Sequence, residues 1–275
     1  MSLTAGAGPF GKRPAGSFNF PVDPPTGAVI YWQPVPQRIR AFVAGEAIVD
    51  TRRAHLLHET GHLPVYYFPA EDVREDLLER TGHTTHCPHK GDAGYWTIRA
   101  GRRTEENAVW SYEQPLEPAS FIAGHRALYW HVVDEWFCED EQMFGHPRDP
   151  FHRIDVYRSN AHVHVSLDGE LLAESRRAKV LYETGLPPRW YLPPEDVRSE
   201  LLESSAKKTR CAYKGSASYW SVRVGDRVED DLVWTYPDPQ HDAEPVRDLL
   251  CFFNERVDLD VDGEPLERPQ TQWSR

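Results

Sequence analysis

The sequence predicts a mainly β protein built from two tandem copies of one small β-sheet domain, each with one short helix. Three observations lead there. Shifting the chain by 124 residues lays 45–112 over 169–236 without a gap, and 33 of the 68 aligned positions are identical. Within a copy, most segments are short runs of β-branched and aromatic residues, which suit a pleated, half-buried surface. Helix signals are too few to supply the crossovers of a parallel sheet, so the strands should run antiparallel. The period is also far longer than a solenoid unit.

In chain order, residues 1–34 carry Pro9, Pro14, Pro21, Pro24, Pro25 and Pro34 among five glycines and read as an extended, Pro/Gly-rich arm. A first repeat domain spans 35–145. Its alternating segment RIRAFVAG (38–45) runs into Gly45, and the counterpart VHVSLDG (163–169) runs into Asp168-Gly169, both hairpin chemistry. VYYF (65–68), YWTIRA (95–100) and AVWSY (108–112) read as further strands. The single helix falls after Pro69 and Pro193, because a first turn accepts proline and Glu71 and Asp72 suit its positive end. Val73, Leu77 and Leu78 would form its apolar face. HPRDP (146–150) is a polar linker, the second repeat domain occupies 151–264, and 265–275 is a C-terminal tail.

Composition excludes several classes. With 9 Trp, 12 Tyr and 11 Phe the chain has ample surface to bury, so it is not disordered. No apolar run reaches the ~18 residues of a membrane span, and the first residues lack the apolar centre of a signal peptide. Four cysteines are too few for a disulfide scaffold and suit reduced thiols. The expected location is therefore cytoplasmic. The net charge of -12 is shared by both copies, which argues against nucleic acid as a partner, and the missing apolar run argues against a membrane.

Duplication supplies an internal control. Packing positions drift between apolar residues, as Leu56/Val180 and Ile98/Val222 do, whereas Arg52/Arg176, Arg53/Arg177, Glu59/Glu183, Asp72/Asp196, Lys90/Lys214 and Arg99/Arg223 are identical. Recent duplication alone would also keep such identities. The sharpest motif is T-x-C-x-x-K-G-x-A-x-Y-W at 85–96 and 209–220. Glycine after lysine lets the chain turn and aims the ammonium into a concavity beside Tyr95, Trp96 and Trp110. Such a lysine binds an anion or, once desolvated, serves as nucleophile or base; in a plain turn it is merely solvated. Cys87 and Cys211 are candidate nucleophiles where a cation lowers the thiol pKa, and otherwise small buried hydrophobes.

Repeat 1 is rich in histidine (His55, His58, His62, His83, His86 and His89), and His86-Cys87-x-His89 invites a zinc reading. The second copy replaces all six, with Lys179, Tyr182, Leu186, Lys207, Arg210 and Tyr213, and no CxxC occurs. A structural metal shared by both copies is excluded, and none is assigned. Nucleophile-elbow, dinucleotide-binding and P-loop sequences are also missing.

Together the retained residues G-E…R-R-A…E-T-G…Y-x-P…D-V…T-x-C-x-x-K-G-x-A-x-Y-W…W-x-Y resemble the family called domain of unknown function 427, sometimes labelled nucleotidyltransferase-like. Both copies match over most of 35–262, and the HPRDPF joint and terminal R-P-x-T-x-W-S resemble its two-domain form. The resemblance implies an Mss4-like "tent", two sheets meeting over a pocket. The family's C-P-Y-K-G core departs here to Cys87-Pro88-His89-Lys90 and Cys211-Ala212-Tyr213-Lys214, so the copies need not be equivalent. Mss4-like zinc binding does not carry over without its paired CxxC ligands.

The leading expectation is a pair of pockets for a small polar or anionic, partly planar ligand. The first would be lined by Arg53, Glu59, Tyr67, Lys90, Tyr95 and Trp110, the second by Arg177, Glu183, Tyr191, Lys214, Tyr219 and Trp234. No cofactor is implied. One alternative is an enzyme using the Cys/Lys loop with Glu59 or Glu183; another is a protein-interaction module whose aromatic residues are simply core. Burial and convergence of these side chains decide between them.

Overall fold

In a computed structural model, which describes residues 3–22 and 27–274, the chain divides into two units between Phe151 and His152. The alternating segments of the first unit become β1 (Ile30–Pro34), β2 (Ile39–Val43), β3 (Glu46–Thr51), β4 (His55–Glu59), β5 (Val65–Pro69), β6 (Leu78–Cys87), β7 (Gly91–Ala100), β8 (Arg103–Ser111), β9 (His125–Leu128), β10 (Glu135–Cys138) and β11 (Glu141–Met143). The second unit has β12 (Ile154–Arg158), β13 (Val163–Leu167), β14 (Glu170–Ser175), β15 (Lys179–Glu183), β16 (Arg189–Leu192), β17 (Leu202–Cys211), β18 (Gly215–Val224), β19 (Arg227–Pro239), β20 (Leu250–Phe252), β21 (Asp258–Val261) and β22 (Glu264–Leu266). The first unit forms a seven-stranded sheet, β1-β4-β5-β9-β8-β7-β6, and a four-stranded sheet, β11-β10-β2-β3. Adding eleven to each strand number reproduces both sheets of the second unit. The protein is mainly β, in two copies of one antiparallel topology.

Alternation makes the seven-stranded sheet two-faced. In the first unit Leu56, Phe68, Ile98 and Val109 face Ile39, Ile48, Val49 and Trp136 of the smaller sheet, all buried. Each fully buried side chain of this size contributes about 1.5–3 kcal/mol. The opposite face carries Leu57, Tyr67, Tyr95 and Ala127, partly covered by Ala119 and Ile122 of the turn Glu117–Ile122. This second face builds the site.

The short helix in each copy is two single 3-10 turns, Ala70–Asp72 and Glu75–Leu77 in the first and Pro194–Asp196 and Ser199–Leu201 in the second. Val73 separates the first pair with extended backbone (φ -100°, ψ 126°), because it bridges Val49 and is buried in the core. A continuous helix could not make that bridge.

The arm is extended only in its last part. Residues 30–34 form β1, which pairs with β4 and covers an otherwise open sheet edge. Residues 3–15 coil through turns anchored on the β4–β5 connection: Gly61 N donates to Thr4 O (2.9 Å) and Thr60 Oγ1 to Phe10 O (3.0 Å). Pro24 and Pro25 lie outside the described residues. Among the described residues no helix is long and apolar enough to cross a membrane.

Candidate functional site

Register assembles the site. Tyr95 lies opposite Trp110, Trp110 opposite Ala127, and Ala127 opposite Tyr67, so four adjacent strands present one row of side chains. Ala127 is small, and the two large rings beside it meet edge to face, with Trp110 Nε1 donating to Tyr67 Oη at 3.3 Å. The second unit repeats the row as Tyr219, Trp234, Cys251 and Tyr191, with Trp234 Nε1 to Tyr191 Oη at 3.1 Å. Thr85 Oγ1 holds Tyr95 Oη at 2.8 Å, and Thr209 Oγ1 holds Tyr219 Oη at 2.7 Å.

The lysine enters from the β6–β7 turn. Lys90 N donates to Cys87 O (3.3 Å), and the next residue adopts a left-handed backbone, Gly91 at φ 96° and Gly215 at φ 95°. At Gly215 a Cβ would also lie 2.8 Å from Asp238 O, so glycine is required on two grounds. The turn swings the Lys90 ammonium onto the carboxylate of Glu59, the last residue of β4, and Lys214 onto Glu183. All four of these side chains are at most 14% exposed.

In the first unit these groups converge on an open cavity of about 310 Å³, bounded by Glu59, Tyr67, Lys90, Tyr95 and Trp110 together with Leu57, His62, Leu63, Val65, Tyr112 and Tyr129. Burial pushes the Tyr67 and Tyr112 phenols well above their usual range and Tyr129 up to about 12, so the ring hydroxyls stay protonated at neutral pH. In the second unit the equivalent space is about 80 Å³; Phe253 takes the place of Tyr129, and Arg189 and Trp273 now line it. Arg189 stands where the first unit has Val65 and makes a buried two-bond pair with Glu255 (2.6 and 2.7 Å). The tail folds back over this pair: Thr271 Oγ1 donates to Glu255 Oε1 at 2.7 Å, and the Trp273 ring lies 5.4 Å from the Arg189 guanidinium. Glu183 has a further partner, His152, whose Nε2 is 3.0 Å from its Oε1 and whose ring stacks on Tyr213. Burial alone would raise the Glu183 carboxyl, but His152 and Lys214 outweigh it and hold it at about 2.

Arg53 and Arg177 are a correction, because neither lines the cavity beside Lys90 or Lys214. Arg53 turns outward to Asp72 (Nε to Oδ2, 3.0 Å) and Glu71, and Arg177 does the same with Asp196 and Glu195. Thr51 Oγ1 and Ser175 Oγ bind the same aspartates, so the retained arginines fasten the 3-10 segment to β3 and β14. Cys87 and Cys211 are free and half-buried at the turns, but the lysines that could activate them are committed to Glu59 and Glu183. The histidines of the first copy disperse. His55 stacks on Trp32, His58 bonds Gln33, His83 lies on Tyr95, His86 bonds Asp92, and His62 lines the cavity.

Sequence reasoning passed over Tyr112 and Tyr129, although Tyr112/Tyr236 is retained and Tyr129/Phe253 keeps an aromatic in phase. Trp273 has no counterpart in the first copy and gave no such signal. No curated protein matches the chain. The two β units coincide with two successive matches, residues 31–139 and 155–263, to one family, and the chain belongs to the family described as Domain of unknown function (DUF427).

Proposed function

We propose that the first unit binds a small, polar, partly planar molecule in the cavity beside the Lys90–Glu59 pair. Convergence carries this reading: residues from β4, β5, β7, β8 and the lysine turn meet around about 310 Å³, a volume within the range of small-molecule sites. The rings of Tyr67, Tyr95 and Trp110 can cover a planar face, and the ion pair offers both a donor and an acceptor. With Lys90 neutralised by Glu59 and Arg53 directed elsewhere, the lining has no surplus positive charge. That favours a neutral or zwitterionic ligand over a plain anion.

Native mass spectrometry with a panel of planar polar fragments tests the reading. Leu63 is 59% exposed at the cavity rim, so Leu63→Trp fills the mouth without disturbing the core. Fragments should bind one per chain and lose at least ~10-fold in affinity in Leu63→Trp. Failure of every fragment to bind, or binding that survives the substitution, would overturn it.

A further inference from the structure

On the exposed face of the second unit's small sheet, three strands bring imidazoles and carboxylates together. His162 immediately precedes β13 and His164 lies on it, two residues apart and therefore on one face. In register with His164 are Glu174 on β14 and Asp260 on β21. Glu174 Oε1 is 2.7 Å from His162 Nε2 and 3.2 Å from His164 Nε2, and the donor atoms of these three residues all lie within 4.8 Å of one another. Asp260 Oδ1 lies 3.9 Å from His164 Nδ1.

We propose that His162, His164 and Glu174 form a binding site for a divalent first-row transition ion of the Zn²⁺ or Cu²⁺ kind. Two imidazole nitrogens and one carboxylate oxygen suit these borderline ions, whereas Mg²⁺ and Ca²⁺ prefer oxygen sets. Bonds of about 2.0–2.1 Å around a tetrahedral ion place donors about 3.3 Å apart, close to the spacing already present. The partly exposed face leaves further positions to solvent. Asp260 Oδ1 lies 3.9 Å from His164 Nδ1, beyond direct hydrogen-bond distance, and adds a second negative charge behind the imidazole, where outer carboxylates strengthen metal-bound histidines.

The duplication provides a contrast. The first unit has Arg38, Arg40 and Asp50 at the positions of His162, His164 and Glu174, and Arg38 Nε is already bonded to Asp50 at 2.6 Å. That arrangement is cationic and cannot take a metal. The site therefore belongs to the second unit alone, and it stands apart from the lysine-lined cavities.

Calorimetric titration of the full chain with Zn²⁺, together with paramagnetic resonance of the Cu²⁺-loaded protein, tests the proposal. One ion should bind, with nitrogen hyperfine structure from two imidazoles. His164→Gln should weaken Zn²⁺ binding at least ~10-fold and leave one imidazole, and Asp260→Asn should weaken it ~10-fold while keeping both. Glu174→Gln, which preserves both imidazoles and the fold, should weaken binding as well. The proposal fails if no Zn²⁺ binds at micromolar concentration. It fails equally if affinity and nitrogen count are unchanged in His162→Gln/His164→Gln, since the ion would then sit on other histidines.

Discussion

The two cavities start from the same row of side chains and end differently. Both keep a buried Lys–Glu pair, a Trp–Tyr hydrogen bond and a tyrosine fixed by threonine. The first leaves about 310 Å³ open; in the second, Arg189 in place of Val65 and Trp273 from the tail reduce the space to about 80 Å³, room for a few waters. Shared residues thus maintain the fold around the lysine turn, and the residues that differ decide whether anything can enter. Retention between copies identifies the frame of the site, and divergence identifies its use.

The largest expected effect separates the two ion pairs. Lys90→Met strands the Glu59 carboxylate, whose side-chain partner among the described residues is Lys90, and should cost about 3–5 kcal/mol. Lys214→Met leaves Glu183 bonded to His152, so the loss should be smaller by about 1.5–3 kcal/mol, the worth of a hydrogen bond to a charged group. Denaturant unfolding of the two variants measures both. Equal losses would show that the pairs are interchangeable and break the contrast.

Acid sharpens it further. Glu183 is held at about 2, below its ordinary 4.5, so its ionised form stabilises the fold above pH 4.5. That contribution, on the order of 3 kcal/mol, is lost as pH falls from 4.5 toward 2. Melting temperatures between pH 2 and 6 should fall less steeply for Glu183→Gln than for the wild type. Identical slopes would remove His152 and Lys214 as the cause.

The smallest effect is the most specific. Arg53 is 57% exposed and pairs outside the cavity, so Arg53→Ala should leave fragment affinity in the first unit unchanged. A tenfold loss of affinity would return Arg53 to the site.

Much of this was legible in the residues because duplication converts phase into topology. A gapless shift implies two copies of one strand order, and strand alternation places Tyr67, Tyr95 and Trp110 on one face. Glu59 and Lys90 could be read as converging because both are charged, retained and set beside those strands. Arg53 misled for the same reason: it too is charged and retained, but its role is to hold Asp72. The expected continuous helix became two turns because Val73 bridges Val49, a pairing that only the third dimension shows. Sequence reasoning passed over the i, i+2 pair His162 and His164, whose partner Glu174 depends on hairpin register. Trp273 belongs to the terminal R-P-x-T-x-W-S, but its place at the cavity follows only from contacts with Arg189 and Phe253.

Binding stoichiometry tests the contrast most directly. A fragment that binds the first unit should saturate the wild-type chain at one per chain by native mass spectrometry. Trp273→Ala removes the ring that covers Arg189 and should raise that number to two, at a stability cost of about 1–2 kcal/mol for a half-buried ring. Two bound fragments in the wild type, or a single bound fragment lost in Trp273→Ala but kept in Leu63→Trp, would contradict it.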